Sequence, residues 1–354
     1  MTTNSLTIKL TTFTPIWTGG AEGKSDRLHL TGIMGSLRWW FEVLVRSVGG
    51  RVCDPGEHSC LYDPDTDGGL CNVCRVFGTT GWARRFRLTV IENNLRPHKP
   101  ASSRGDDVRG LVFSLSQDHP ADRDPKWYLK SNPLGGSLTL SIIPTGPLRR
   151  SDTTYFNPGI IGSLIQFIAD RASIGAKPQM GLGVVQVVNR LSTQPLIDYL
   201  KKIMLEYEAQ HDPNKNIDGE LPSLQNMFFA RVDAGSSSVS TTFDLKYDLR
   251  GMLRETFKDD HMRHAIMGFV RGGNRDGSKI MMSYPYNGET IRMWGWIPKS
   301  ACTNLSRNEI LDEIYYLLVD TYGDEHIDFW LDFDPQKYDN ILVYLQDKLL
   351  PGAK

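Results

Sequence analysis

No apolar run in the 354-residue chain approaches the length of a membrane span, and its N-terminus has no secretory pattern. The expected setting is therefore the cytoplasm, away from the membrane. Net charge is also nearly absent: 40 Lys and Arg face 41 Asp and Glu, for a formal −1. That balance argues neither for nor against nucleic acid. There is no low-complexity segment, no paired-carboxylate motif, no H-x-x-x-H and no nucleophile elbow, so the sequence holds no recognisable catalytic constellation.

Two phosphate-binding patterns are missing as well. The glycine-rich stretch "SIGAKPQMGLGVVQV" (Ser173–Val187) lacks the Lys-Ser/Thr ending of a P-loop and the third glycine of a dinucleotide fingerprint. Its surroundings run helix, loop, strand. Both nucleotide motifs run strand, loop, helix, which places a positive helix N-terminus at the phosphate. No nucleotide cofactor is expected. Two readings of the loop stand: a tight turn with Gly175 capping the helix, or a surface that a sugar-phosphate chain passes closely. Lys177 and Arg171 are its cations and Gln179 its polar neighbour.

What is present begins with length. At 354 residues, 40% of them apolar, the chain can build two domains with cores of their own. Charge is uneven along it. Residues 1–192 carry 22 Lys and Arg against 16 Asp and Glu, and residues 193–354 carry 18 against 25. A phosphate-binding face is expected mainly in the first half.

"SLTIKLTTFTPI" alternates as a strand does, and "LTGIMGSLRWWFEVLVRSVGG" has helical spacing, with Thr31 as cap and Gly49-Gly50 as stop. Strands at "RRFRLTVIEN" and "GSLTLSIIP", a helix at "NPGIIGSLIQFIADRAS" and a strand at "GVVQVVN" complete a β-α-β-β-α-β order. The second half repeats it weakly. "NMFFARVDA", "AIMGFVRGG", "KIMMSYPY" and "TIRMWGWIP" read as strands. "LKYDLRGMLRETF", "RNEILDEIYYLLVDTYG" and "PQKYDNILVYLQDKLL" read as helices, and "DAGSSSVSTT" as an exposed loop. The fold class is α+β: two ferredoxin-like (RRM-like) domains in tandem with loop insertions. The first spans 1–192, with a cysteine-rich insertion at about 50–82, and the second spans 193–354.

Four of the five cysteines, Cys53, Cys60, Cys71 and Cys74, fall within 22 residues, with His58 among them. Cys71 and Cys74 form a C-x-x-C knuckle. A structural zinc held by four thiolates, unmetallated thiols and redox chemistry are the readings. "TPIWTGGAEGKSDRLHLTG" brings Lys24, Arg27 and His29 towards a helix N-terminus. Arg38 pairs with Glu42 at i,i+4 or reaches phosphate, with Trp17 or Trp39 offering a stacking face. Arg84, Arg85 and Arg87 form a basic edge or a phosphate track. Arg271 and Arg275 flank a second glycine-rich segment, "VRGGNRDGSK", whose Asn-Arg-Asp-Gly centre signals a hairpin.

"TPIWTGG", the G-x-L-R-W-W run at Gly35–Trp40, the C-x-x-C-R-x-F-G run at Cys71–Gly78 and "GAKPQMGLGVVQV" resemble the RAMP superfamily of CRISPR proteins. Within it they resemble the family of the first subunit of the Cmr (type III-B) effector complex. The resemblance implies two RRM-like domains and a non-catalytic RNA-binding subunit. Its partners would be crRNA, at its 3′ region, target RNA and other Cmr subunits, with no DNA as primary ligand. The glycine-rich loop at Gly175–Gly183 would belong to the RNA path. Some RAMP proteins cut their own guide RNA, with His29 beside Lys24 or Arg38 as candidates here; a purely structural assembly subunit is the third alternative. The aromatic RNP1 pattern is absent, so contacts to backbone rather than base-specific readout are expected.

Overall fold

In a computed structural model the chain is described over residues 5–54, 60–63, 69–100, 104–107, 109–121, 123, 125–146, 156–208 and 219–350. It is a mixed α/β protein with several small antiparallel sheets.

The first sheet grows from four segments of alternating or continuous apolarity. β1 (Leu6–Thr12) buries Ile8 and Leu10 and exposes Lys9 between them, as a period of two requires. The chain crosses to helix α1 (Leu30–Ser47), whose Ile33, Leu37, Trp40, Phe41 and Leu44 form a buried face. Thr31 is not its cap. The N-cap is His29, which makes no side-chain cap, and its own N–H donates to Thr18 Oγ1 at 2.9 Å. The incoming chain thus fixes the helix start. Gly49 takes φ 78° at its end, and the Gly50 N–H closes on the Val45 carbonyl.

A short helix α2 (Asn72–Phe77) leads to β2 (Phe86–Asn93), then β3 (Ser137–Pro144), helix α3 (Gly159–Arg171) and β4 (Val185–Val187). The sheet order is β2-β3-β1-β4, antiparallel throughout. Between β2 and β3 a three-stranded ribbon (Arg104–Asp107, Gly110–Phe113, Trp127–Leu129) covers a small core containing Trp17, Phe113, Met180 and Phe243.

Helix α4 (Gln194–Glu208) returns across α3 and buries Leu196, Ile197 and Leu200 in the first core. The second sheet follows the same course: β5 (Met227–Asp233), α5 (Ser240–Phe257), α6 (Asp260–Met267), β6 (Ile280–Met282), β7 (Thr290–Trp296), α7 (Arg307–Tyr322) and β8 (Ile327–Asp332). Its order, β6-β7-β5-β8, matches the first.

Two expectations are corrected here. "AIMGFVRGG" is not a strand from its start: Asp259 accepts from the His261 and Met262 N–H groups, caps α6, and lets Met262 and Ile266 pack at i,i+4. Only Phe269–Arg271 is extended. "DAGSSSVSTT" is not all loop, since Ser240 already begins α5.

The sheets differ in what covers them. In β5, Phe228, Ala230 and Val232 pack with residues of α5, α6 and α7, while Met227 and Phe229 enter the first core together with Met281 and Trp294. Both faces are buried, which explains the nearly unbroken apolar run. In β1 the alternate face carries Thr7, Lys9 and Thr11. The C-terminal segment, helix α8 (Ile341–Tyr344) and the π-turn Leu345–Leu349, also joins the first core.

Two buried arginines tie these parts together. Arg292 of β7 donates from Nη1 to the Ala169 and Ala172 carbonyls, both at 2.8 Å, satisfying the end of α3. Arg171 donates to the Leu349 and Lys348 carbonyls of the C-terminal turn. Among the described residues no helix is long and apolar enough to cross a membrane.

Candidate nucleic-acid interface and cysteine cluster

The approach to α1 and the glycine-rich loop after α3 meet. The Ala176 N–H donates to the Trp17 carbonyl at 2.8 Å, and the Gly183 N–H to the Pro15 carbonyl at 2.9 Å. Phe13 and Thr14 both donate to the Val184 carbonyl. The loop's glycines are demanded by this closeness. A Cβ on Gly175 would stand 2.7 Å from the Trp17 carbonyl oxygen. One on Gly181 would stand 2.3 Å from the Tyr284 ring, and one on Gly183 2.2 Å from the Ile174 carbonyl oxygen. All three have φ near +90°. Gly175 is not the helix cap, however; α3 ends at Arg171 and its C-cap is Ala172.

Lys177 sits at the loop's outer rim, exposed, with φ 64°. A side chain in the left-handed region carries strain on the order of 1 kcal/mol or more, and such strain concentrates at functional sites. Behind the loop lies a cation the sequence did not suggest. Lys246 of α5 donates its ammonium to the Gln179 carbonyl. Burial, with Arg250 adding repulsion, pushes its pKa down to about 8.

The other expected contacts divide into two groups. Lys24, Arg27, Arg84, Arg271 and Arg275 are exposed. Arg271 and Arg275 stand on the hairpin of Phe269–Arg271 and Asn274–Asp276, whose turn is Gly272-Gly273, not the Asn-Arg-Asp-Gly run. The positive φ of both glycines fits a two-residue hairpin turn. Arg85 is half-buried, and its N–H donates to the Val76 carbonyl.

The second group is turned inward. Trp17 is 2% exposed and offers no face to a base. Arg171 caps the C-terminal turn. His29 holds Asp26 at 2.8 Å, and this hydrogen bond keeps the Asp26 carboxyl below its usual range. Arg38 pairs with Glu42 at 2.9 Å and directs its two other guanidinium nitrogens to the Gly78 carbonyl and to Cys74 Sγ at 3.3 Å. For Trp17, Arg171 and Arg38 the structure supplies an internal role in place of an RNA contact.

A pocket of about 490 Å³ opens where the first turns of α1, the glycine-rich loop and the second sheet converge. Gly35, Trp39, Gly175, Pro178, Gln179 and Trp296 are among its walls, and among the described residues no charged side chain lines it. Trp39 and Trp296 lie 6.0 Å apart, ring centre to ring centre.

The four cysteines converge independently of this pocket. The Sγ atoms of Cys53, Cys60, Cys71 and Cys74 all lie within 4.8 Å of one another. Cys53 is 3.5 Å from Cys74 and 3.7 Å from Cys71. A tetrahedral ZnS₄ centre with bonds of about 2.3 Å requires sulfur spacings of roughly 3.8 Å, so the set fits a metal. Cys71 caps α2, its Sγ accepting from the Cys74 N–H at 3.3 Å. Burial and the neighbouring Cys71 push the Cys74 thiol up, a resistance to ionising that a bound cation would reverse. Arg38 supplies the one positive side chain hydrogen-bonded to a sulfur among the described residues. His58 lies outside those residues.

The model of the RAMP superfamily matches residues 9–186, from within β1 to within β4. The chain belongs to the RAMP superfamily. The approach to α1, the glycine-rich loop after α3 and the cysteine cluster of this RAMP protein fall inside the matched span. Among curated proteins none matches it. Solved structures similar to it include a chain of the type III-B Cmr-beta complex bound to cognate target RNA and AMPPnP in the presence of ssDNA. That likeness is 13% identical, covers 88% of this chain and 99% of that one, and has a TM-score of 0.45. Cmr1 from Pyrococcus furiosus in its apo form is 13% identical over 89% of this chain and 97% of its own, with a TM-score of 0.40. At this distance they carry nothing about what this RAMP protein does.

Proposed function

We propose that this RAMP protein is a non-catalytic RNA-binding subunit of a type III-B (Cmr) CRISPR effector. It contacts the crRNA 3′ region or target RNA in antiviral defence, in the cytoplasm, beside other Cmr subunits. The Cmr assignment draws on the G-x-L-R-W-W and C-x-x-C-R-x-F-G runs. The RNA role draws on one observation above the rest: the glycine-rich loop is built against the α1 approach, with Lys177 held outward in a strained conformation. Lys24 and Arg27 are exposed on the same approach. Backbone amides and glycines let a polymer pass close, and cations answer its charge. His29 is paired with Asp26.

The protein is read as two ferredoxin-like units meeting near residue 192, supported by the identical strand order of the two sheets. The cysteine cluster is read as a structural zinc site: four thiolates would hold the ion, which would tie down an insertion with little core of its own. One zinc per chain in protein purified without chelator is the expected elemental analysis; none would remove the zinc reading.

The RNA reading is tested by fluorescence anisotropy with a labelled single-stranded RNA at 50 and 200 mM salt. Binding at low salt that weakens by at least tenfold, with the RNA recovered uncut, supports it. No binding at low salt leaves only an assembly role, and cleaved RNA removes the non-catalytic assignment.

A further inference from the structure

Gly35 has no reason in the fold to be glycine. It lies inside α1, where glycine is the least favourable residue after proline. Gly32, one turn earlier, is explained by packing, since a Cβ there would stand 3.1 Å from Thr18. A Cβ on Gly35 would meet nothing within 4 Å. The space it leaves open is the pocket between α1, the glycine-rich loop and the second sheet.

That pocket has the character of a site for a flat, neutral, aromatic group. Its volume of about 490 Å³ falls in the range of small-molecule sites, on the order of 300–1,000 Å³. Trp39 and Trp296 supply partly exposed indole rings. Ser36, Ser173, Ser278 and Gln179 in the lining offer hydroxyl and amide groups to the edge of a nucleobase. With no charged side chain in the lining among the described residues, the anionic part of the ligand must stay outside, and the rim there is the loop that carries Lys177.

We propose that this pocket receives a single unstacked nucleobase of the bound RNA strand, with Gly35 holding the space open and Trp39 and Trp296 contacting the ring. This rests on the RNA-binding reading above, which itself needs only backbone contacts. Of the two stacking faces the sequence offers, Trp17 and Trp39, this takes Trp39, with a partner more than 250 residues away in the chain.

The test compares the parent with Gly35→Leu, which fills the pocket and replaces glycine by a good helix former, so its thermal midpoint is expected at or above the parent's. Affinities are measured for a ten-nucleotide oligo(A) RNA and for the same ribose-phosphate chain without bases. The parent should prefer the base-bearing strand by about tenfold, the scale of one base stacked on an aromatic ring. Gly35→Leu should lose that preference while binding the abasic chain as the parent does. Trp39→Leu should reduce it in the same way. A folded Gly35→Leu that keeps the full preference overturns the pocket assignment and leaves the RNA reading intact. A parent that binds neither strand overturns both. Displacement of oligo(A) by adenosine monophosphate at micromolar concentration would show that the pocket serves a free nucleotide, and would overturn the assignment to the strand.

Discussion

The two glycine-rich segments, Ile174–Val184 and Val270–Lys279, look alike in composition and are unlike in construction. In the first, each of Gly175, Gly181 and Gly183 is pressed against backbone or a ring closely enough to exclude any side chain. In the second, a Cβ on Gly272 or Gly273 meets nothing within 4 Å, and the glycines serve the turn alone. One segment is a rigid shelf fixed to the body of the protein; the other is a hairpin standing in solvent with Val270 76% exposed. Rigid placement lets a weak loop contact become a defined one, because less freedom is lost on binding. Under the proposed RNA role, the shelf rather than the hairpin is the surface expected to bind.

This contrast can be broken most sharply at Gly183. Gly183→Ala forces a methyl into the Ile174 carbonyl at a positive φ, and a loss of at least about 3 kcal/mol is expected in urea unfolding. Next is Arg292→Met, which orphans the Ala169 and Ala172 carbonyls at the root of the shelf; about 2–3 kcal/mol should be lost in the same assay. A smaller effect on stability, of opposite sign, is expected for Lys177→Gly. It relieves the left-handed strain, gaining up to about 1 kcal/mol, while RNA affinity falls. Gly273→Asn should change stability by less than about 0.5 kcal/mol, since asparagine tolerates a positive φ and nothing there is crowded. A large loss at Gly273 or none at Gly183 would erase the distinction.

Lys246 sharpens the same picture through pH. Its folded pKa of about 8 lies below the 10.5 of a free lysine. Between those values the unfolded chain holds more protons, so this group makes stability rise with pH across that window. Thermal midpoints measured from pH 7 to 10 should show the parent gaining on Lys246→Met. A constant difference would mean the ammonium is not enclosed behind the shelf.

Much of this was legible in sequence where the signal is local. The β-α-β-β-α-β order follows from apolar periodicity, the Arg38–Glu42 pair from i,i+4 spacing, and the cysteine cluster from C-x-x-C with two nearby thiols. What was not legible depends on distant partners. Arg38 points to Cys74, 36 residues on, and Trp17 is buried by a ribbon inserted a hundred residues later. The pocket draws its walls from α1, the loop and β7, and no local pattern joins Gly35 to Trp296. The strand expected at Ala265 became helix because Asp259 supplied a cap that outweighed the β-branched and aromatic residues downstream.

The central claim is that the shelf binds RNA backbone through Lys177. Its most direct measurement is the dependence of RNA affinity on salt for the parent and for Lys177→Gly. The logarithm of the binding constant should fall linearly with the logarithm of salt concentration, and the variant's slope should be shallower by about 0.7, the release expected for one lost contact to a single strand. Parallel lines of equal affinity would contradict the claim.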